Sequence, residues 1–493
     1  NNIPLFALES QDEINCFDFL GITLQYEMCY TNILQILDLS GIPLHAEDRT
    51  EDDPIVIGGG PCAYNPEPIA DFFDFFYIGE GETAYDEILD LYKANKKAGG
   101  NRADFLRKVS HIQGMYVPSL YMVTYLENGQ IASFQPKYND VPCTILKQIV
   151  TDFNGVPYPE KPIVPFLQVI QDRVTLEIQR GCIRGCRFCQ AGMIYRPVRE
   201  RNVNDLKEIA EKMLTSTGHE EITLSSLSSS DYSCLQELVY HLIDNYQDDF
   251  INVALPSLRI DAFSLDVMNK VQDVRKSSLT FAPEAGSQRL RNVINKGLTV
   301  ENIMNGATMA FKGGWNKVKL YFMLGLPTET EEDMRAIPEL ANDIAMAYYD
   351  TVPKEERKGF GKCQVTISTS FFVPKPFTPF QWCKMEYPEE YLRRAGIVKD
   401  TMMAQLNKKS LRYMYHEAYV TVLEGLFARG NRRVSKAIIY AYEHGALFDA
   451  WNEYFKQEIW DEAFENTGID LDFYTQRVVP LDEILPWDFI DVG

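Results

Sequence analysis

The sequence predicts an α/β protein with a Rossmann-like N-terminal domain, a partial parallel (β/α) barrel and a helical C-terminal region. Three observations predict it. Short apolar runs alternate with amphipathic stretches over residues 18–90 and again from Val174 to about residue 385. Glycine turns follow the runs "PIVIGGGP" (54–61) and "IADFFDFFYIGEGE" (69–82), where parallel strands usually present their ligands. Beyond about residue 386 the apolar residues recur at helical spacing.

Taken in order, "FDFLGITLQ" reads as a strand and "YTNILQILDLSG" as a helix stopped by glycine. The Rossmann-like domain is placed at 1–95 and a connecting region at 96–170. That region ends in "YPEKPIVPF" (158–166), an extended linker with prolines at 159, 162 and 165. The barrel is placed at 171–385, with strands expected in "VTLEI", "EEITLSSLS", "INVALPSLRID", "KSSLTFAPEAG", "NKVKLYFMLGLP" and "CQVTISTSFFVP". The helical region is placed at 386–493, without strands and with Trp451, Tyr454, Phe455 and Trp460 in its core. The chain opens "NNIPLFALES", without an initiator Met, and is expected to lack sequence at one or both ends.

At 493 residues the chain is long enough for about two to four domains. Its 48 basic and 70 acidic side chains leave a net charge of −22, which opposes a general electrostatic grip on nucleic acid or anionic membrane. With no apolar run of membrane-spanning length and no signal peptide, a cytoplasmic protein without a membrane partner is expected.

Seven of the ten cysteines are scattered singly, as small buried apolar residues often are. Cys182, Cys186 and Cys189 instead form a Cys-x3-Cys-x2-Cys array directly after "VTLEI". Three thiolates around a four-iron cluster leave one iron open, as reactive metal sites require. Structural zinc or a plain electron-transfer cluster would want a fourth ligand nearby. The flanking residues supply none, and the histidines at 45, 111, 219, 241, 416 and 444 lie far away in sequence.

At this array the chain resembles the radical S-adenosylmethionine (AdoMet) enzymes, whose signature Cys-x3-Cys-x-aromatic-Cys is completed here by Phe188. "SLTFAPEAGSQRLRNVINKG" and "VKLYFMLGLPTETEEDM" resemble later motifs of the methylthiotransferase-like branch. The whole chain is similar to an uncharacterised bacterial family with a cobalamin-binding-like N-terminal region, on runs such as "IVIGGGPCAYNPEPIADFFDFF" and "RGCRFCQAGMIYRPVRER". The resemblance implies a barrel of radical SAM type, a 4Fe–4S cluster on the three cysteines, and AdoMet chelated to the open iron. It also implies reductive cleavage of AdoMet to methionine and a 5′-deoxyadenosyl radical. Phe188, Glu284, Ser257, Arg259 and Ser228 become candidate AdoMet contacts, with Ser226 and Asp231 beside them. Relatives carry histidine where this chain has Gln171 and Phe377, so no proton-transfer role passes to those positions.

Cobalamin stands as an open expectation. The cobalt-binding Asp-x-His-x-x-Gly motif is absent from the chain, yet glycines 58–60 and the 79–82 turn are placed to meet a corrinoid tail. A degenerate domain used for packing or substrate binding is the other reading.

Eight basic residues (Arg173, Arg180, Arg184, Arg187, Arg196, Arg199, Arg201 and Lys207) face only Glu177, Glu200 and Asp205 in the same stretch. They read either as partners for cluster, AdoMet and local acids, or as a guide for an anionic partner such as RNA or a ribosomal assembly. The expected function is a radical SAM enzyme, in transferase chemistry, that needs an external electron donor. A cobalamin-dependent methyltransferase and a non-catalytic iron–sulfur scaffold are the alternatives.

Overall fold

The computed structural model describes residues 3–167, 169–255, 279–357 and 361–493. It divides into two compact units that interleave along the chain. The first comprises Asn1–Val150, Val373–Pro388 and Glu417–Gly493; the second comprises Thr151–Phe372 and Glu389–His416.

The first unit is built on a sheet of β1 (Phe19–Thr23), β2 (Ile55–Gly59), β3 (Phe75–Tyr77) and β4 (Met115–Tyr116), in that order. β1, β2 and β3 run parallel, with Phe19 opposite Ile55 and Ile57 opposite Phe75; β4 is antiparallel. β2 and β3 are continuous apolar runs because both faces are covered. The helix Tyr30–Leu39 buries Tyr30, Ile33, Leu34 and Leu37, one stripe at helical spacing. The helix Tyr85–Lys97 places Asp86 and Glu87 in its first turn and Lys96 and Lys97 in its last, with the backbone dipole. The sheet therefore continues past the expected limit at residue 95. Ala418–Arg429, Ser435–Glu443 and Gln457–Thr467 add the helices expected toward the C-terminus.

The second unit carries parallel strands in two runs. β5 (Val174–Glu177), β6 (Glu221–Ser225) and β7 (Asn252–Ala254) form one, with β6 central. β8 (Leu279–Glu284), β9 (Lys317–Leu324), β10 (Gln364–Phe371) and β11 (Leu411–Tyr415) form the other, in chain order. Helices Val203–Thr217, Leu235–Tyr246, Val300–Lys312, Glu331–Thr351 and Pro388–Ala404 lie between successive strands, the alternation of a (β/α) barrel wall. Val174, Leu176, Leu206, Ile209, Met213, Ile222, Leu224, Leu238 and Leu242 share one buried cluster, so strand and helix periodicities point at the same core.

Three findings depart from the expected layout. Residues 373–388 belong with the first unit, and 389–416 with the barrel. Strands do not end near 386: "LRYMY" (411–415) is rich in β-favouring aromatics and pairs with β10, Val365 opposite Leu411. Trp460 is fully buried as expected, but Trp451 and Tyr454 are half-exposed. They stand in a loop, where no helical period turns them inward. No described helix is long and apolar enough to cross a membrane.

Candidate functional site

The thiol loop leaves the barrel through Gln179–Arg180, which pairs antiparallel with Arg199–Glu200 and closes residues 181–198 into one excursion. Gly181 opens it at φ +79°; a Cβ there would stand 2.8 Å from the carbonyl oxygens of Tyr195 and Pro197, so only glycine fits. Within the loop, Cys189 N–H donates to Cys186 O at 3.1 Å and Gly192 N–H donates to Cys189 Sγ at 3.4 Å. Cys186 is buried, while Cys182 and Cys189 are partly accessible.

Neighbouring loops pin this one without using a thiol. Arg187 donates from its backbone N to Ile294 O at 3.0 Å and from Nη1 to Val293 O at 2.6 Å. Asn295 Nδ2 donates to Gly185 O at 2.9 Å. Arg184 pairs with Asp231, which also accepts from Ser228 Oγ at 2.7 Å. The segments after β5, β6 and β8 thus meet around the thiols.

That knitting delivers Lys296. Its Nζ lies 3.1 Å from Glu284 Oε1 and 5.9 Å from the centroid of the Phe188 ring. Glu284 ends β8 after a register shift and sits at φ +67°, strain of about 1–3 kcal/mol that the surroundings must hold. Arg291 holds it: fully buried, it donates from Nη1 to Ala285 O at 2.9 Å and Gly286 O at 2.8 Å, and from Nε to Leu298 O at 3.1 Å. Burial lowers the Arg291 guanidinium to about 10. Gly286 lets the helix Glu331–Thr351 approach, since a Cβ would come 2.4 Å from Ile337 N.

Burial raises the Glu284 carboxyl above its ordinary range, and Lys296 opposes the rise. Burial also raises the Cys189 thiol; Gly192 N–H and Lys296 act against this, while Cys182 and Glu284 add to it. Cys189 therefore lies within electrostatic reach of Cys182, Lys296 and Glu284. Among the described residues, no three His, Cys, Asp or Glu side chains gather as a single ion would require. A cluster makes a different demand: each thiolate takes a separate iron corner, and three soft sulfur donors on one braced loop fit that demand.

Of the sequence-predicted residues, Cys182, Cys186, Cys189, Phe188 and Glu284 come together here, and Ser228 joins through Asp231 and Arg184. Ser257 and Arg259 lie outside the described residues. Sequence reading missed Lys296 and Arg291. Neither belongs to a spacing that signals chemistry, and only the contact with the thiol loop singles out Lys296.

The loop after β9 holds a second buried carboxylate. Glu329 Oε2 accepts from Gly325 N at 2.8 Å and Arg394 Nη1 at 2.9 Å, while Oε1 has no hydrogen-bond partner among the described residues. Burial pushes it up to about 7, against Gly325 N–H and Arg394 and with a small contribution from Asp333; Arg289 and Tyr413 also face it. Because the folded chain holds this proton above the unfolded value of 4.5, stability contributed here is present below 4.5 and lost as pH rises through about 7. The expected loss is on the order of 3 kcal/mol. Thermal melts across that window should show it, and Glu329→Gln should flatten the slope; an unchanged slope would reject this assignment.

Much of the basic stretch is engaged locally. Arg173 pairs with Glu221 at 2.6 Å, Arg180 with Glu177 at 2.8 Å and Lys207 with Glu237 at 2.6 Å. The Arg201 guanidinium lies 4.3 Å from the Phe153 ring centroid and 4.9 Å from that of Tyr158. This favours local pairing over the guidance of an anionic partner.

Comparison with known proteins agrees with the geometry. Residues 1–118 match the family described as radical SAM proteins, N-terminal, and residues 176–341 match the radical SAM superfamily. An uncharacterized protein of Methanocaldococcus jannaschii is 31% identical over 481 residues, covering 95% of this chain and 90% of that protein. A putative methylthiotransferase of the same organism is 26% identical over 195 residues, 37% of this chain and 43% of that one. Among solved structures, the radical S-adenosylmethionine methyltransferase TsrM of Kitasatospora setae, with cobalamin and a [4Fe-4S] cluster bound, is similar at 13% identity and TM-score 0.46, over 92% of this chain and 89% of that one.

Proposed function

The chain belongs to the radical SAM superfamily, and from that premise we propose that this enzyme cleaves AdoMet reductively and uses the cleavage to modify its substrate in a transferase reaction. The family's cofactors are a 4Fe–4S cluster and AdoMet, which when bound together supply a one-electron cleavage of the sulfonium. Cys182, Cys186 and Cys189 would hold three irons of the cluster. Lys296 would offer its ammonium to the AdoMet carboxylate, Glu284 would accept from its amino or hydroxyl groups, and Phe188 would give a flat apolar contact. Arg291 keeps Glu284 aimed, and the largely buried setting of the pair limits competing water. The carrying observation is the Lys296–Glu284 pair, held beside Cys189 and Phe188 by the knitted loops.

The test is anaerobic reconstitution with iron and sulfide, then AdoMet and dithionite, with products read by mass spectrometry. 5′-Deoxyadenosine is expected; its absence despite an intact cluster sinks the reading. Lys296→Ala should leave the cluster absorbance intact and weaken AdoMet binding about tenfold or more, the loss of one charge-assisted contact. Unchanged AdoMet affinity would remove Lys296 from this role.

A second reading, methyl transfer through cobalamin, is favoured by one observation in the first unit. A cavity of about 370 Å³ lies at the carboxyl ends of β1, β2 and β3, lined by Gly21, Gly59, Gly60, Gly79 and Gly81 with Ile22, Tyr77 and Tyr85. A Cβ on Gly21 would meet nothing within 4 Å, so the backbone there borders open space. These residues fit a flat apolar moiety such as a corrinoid tail base. Retention of cobalamin on gel filtration, lost in Gly21→Leu, together with S-adenosylhomocysteine formation, would support this reading; no retention by the unaltered chain would end it.

A further inference from the structure

Within the first unit, the loop between helices Ser435–Glu443 and Gln457–Thr467 presents Phe448, Trp451 and Tyr454 at 39%, 49% and 55% exposure. The rings form one patch: Phe448 lies 6.0 Å from Trp451 and 5.7 Å from Tyr454, centroid to centroid. Neither the Trp451 indole N–H nor the Tyr454 hydroxyl has a hydrogen-bond partner among the described residues.

The patch is braced from below. Asp449 is buried and accepts from Thr31 Oγ1 at 2.8 Å and Trp460 Nε1 at 3.4 Å. Asn32 Oδ1 accepts from Phe448 N at 2.9 Å. Trp451 N donates to Phe448 O, and Tyr454 N to Trp451 O, both at 2.9 Å. Phe448 itself sits at φ +59°, a conformation bulky residues adopt only when their surroundings impose it. Three large rings are thus held outward on a rigid base rather than left over on a loose tip.

Charge selects the occupant. From residue 443 to 472 the chain has nine Asp or Glu and a single Lys, Lys456. Glu443, Glu453 and Glu458 are exposed, and each stands within five residues of one of the rings in sequence, while Lys456 lies within electrostatic reach of the buried Asp449. Exposed aromatic faces in so acidic a stretch favour guanidinium and ammonium groups, by stacking and by ion pairing. The same rings would stack on nucleobases, but phosphates would meet the acidic excess of this stretch, and the net charge of −22, unfavourably. We propose that Phe448, Trp451 and Tyr454, with their flanking carboxylates, dock an arginine- and lysine-rich polypeptide. The docking needs neither cluster nor AdoMet, so it stands or falls apart from the catalytic reading.

The full chain is titrated with a fluorescently labelled arginine-rich peptide, without AdoMet, and with a single-stranded RNA oligomer in parallel. The peptide should bind, and Trp451→Ala combined with Tyr454→Ala should weaken it about tenfold or more at unchanged net charge. Glu453→Gln should weaken it less and reduce its salt dependence. Circular dichroism checks that the exposed-site variants stay folded. Equal peptide binding by the aromatic variant would reduce the effect to non-specific charge and overturn the proposal. Tighter binding of RNA than of peptide would overturn it too, as would concentration-dependent self-association of the chain lost with Trp451→Ala.

Discussion

Cys189→Ala, reconstituted anaerobically beside the unaltered chain, is expected to show no stable 4Fe–4S absorbance and to release no detectable 5′-deoxyadenosine. Cys182→Ala and Cys186→Ala should do the same. With three thiolates on the loop, removing one leaves two iron corners without a protein ligand, and the array contains no spare cysteine to take over. The loss should be chemical rather than structural. The loop is held by Arg187 on Ile294 and Val293, by Asn295 on Gly185 and by Arg184 on Asp231, none of which involves sulfur. Each variant should therefore melt close to the unaltered apo-protein. A variant that keeps both its cluster and its cleavage activity would show that its cysteine is no ligand. A variant that fails to fold would instead show that the thiol packs the loop.

Asp74→Ala should produce the largest loss of stability. Asp74 precedes β3 and is 1% exposed. One carboxylate oxygen accepts from Arg49 Nη1 and Val56 N, each at 2.8 Å; the other lies 2.8 Å from Arg102 Nη2. Arg49 is fully buried and also donates to Pro43 O, Leu44 O and Phe72 O, so it cannot swing out to water when its acid is removed. Burial already lowers the Arg49 guanidinium, with Asp74 opposing that shift. An uncompensated buried cation costs about 3–5 kcal/mol. The unfolding midpoint should fall on the order of 10 °C. Asp140→Ala, which removes the exposed partner of Arg107, is the control and should leave the midpoint in place. Equal effects from the two substitutions would mean that the buried network is not what holds this corner.

The residues that were legible in the sequence share a property: each announces itself through its immediate neighbours. The cysteine array is defined by spacing within eight residues, and Glu284 by the contiguous "EAGS". β2 and β3 show as apolar runs because a parallel strand covered on both faces needs no polar alternation, whereas β9 shows by alternation, with Val318, Leu320, Phe322 and Leu324 buried. Lys296 has no such neighbourhood. It becomes part of the site because Asn295 and Ile294 are tied to the thiol loop, more than a hundred residues away in sequence. The same holds for Arg49 and Asp74, ordinary charged residues until packing removes water from around them. Trp451 and Tyr454 show the reverse error, since an aromatic residue implies a core only where a regular element turns it inward.

By itself, the sequence determined the class of fold and the thiol array, because strand and helix periods and ligand spacing are encoded over a few residues, and its motifs implied the family chemistry by resemblance. Only the tertiary structure decided that 373–388 leaves the barrel for the first unit, that β11 extends the barrel sheet, and that Lys296 faces Glu284 beside Cys189. It also decided which charges are buried and which aromatics face outward. Those outcomes depend on burial and long-range contact, which set the dielectric, strain and accessibility of a side chain and are properties of the packed whole rather than of any local stretch.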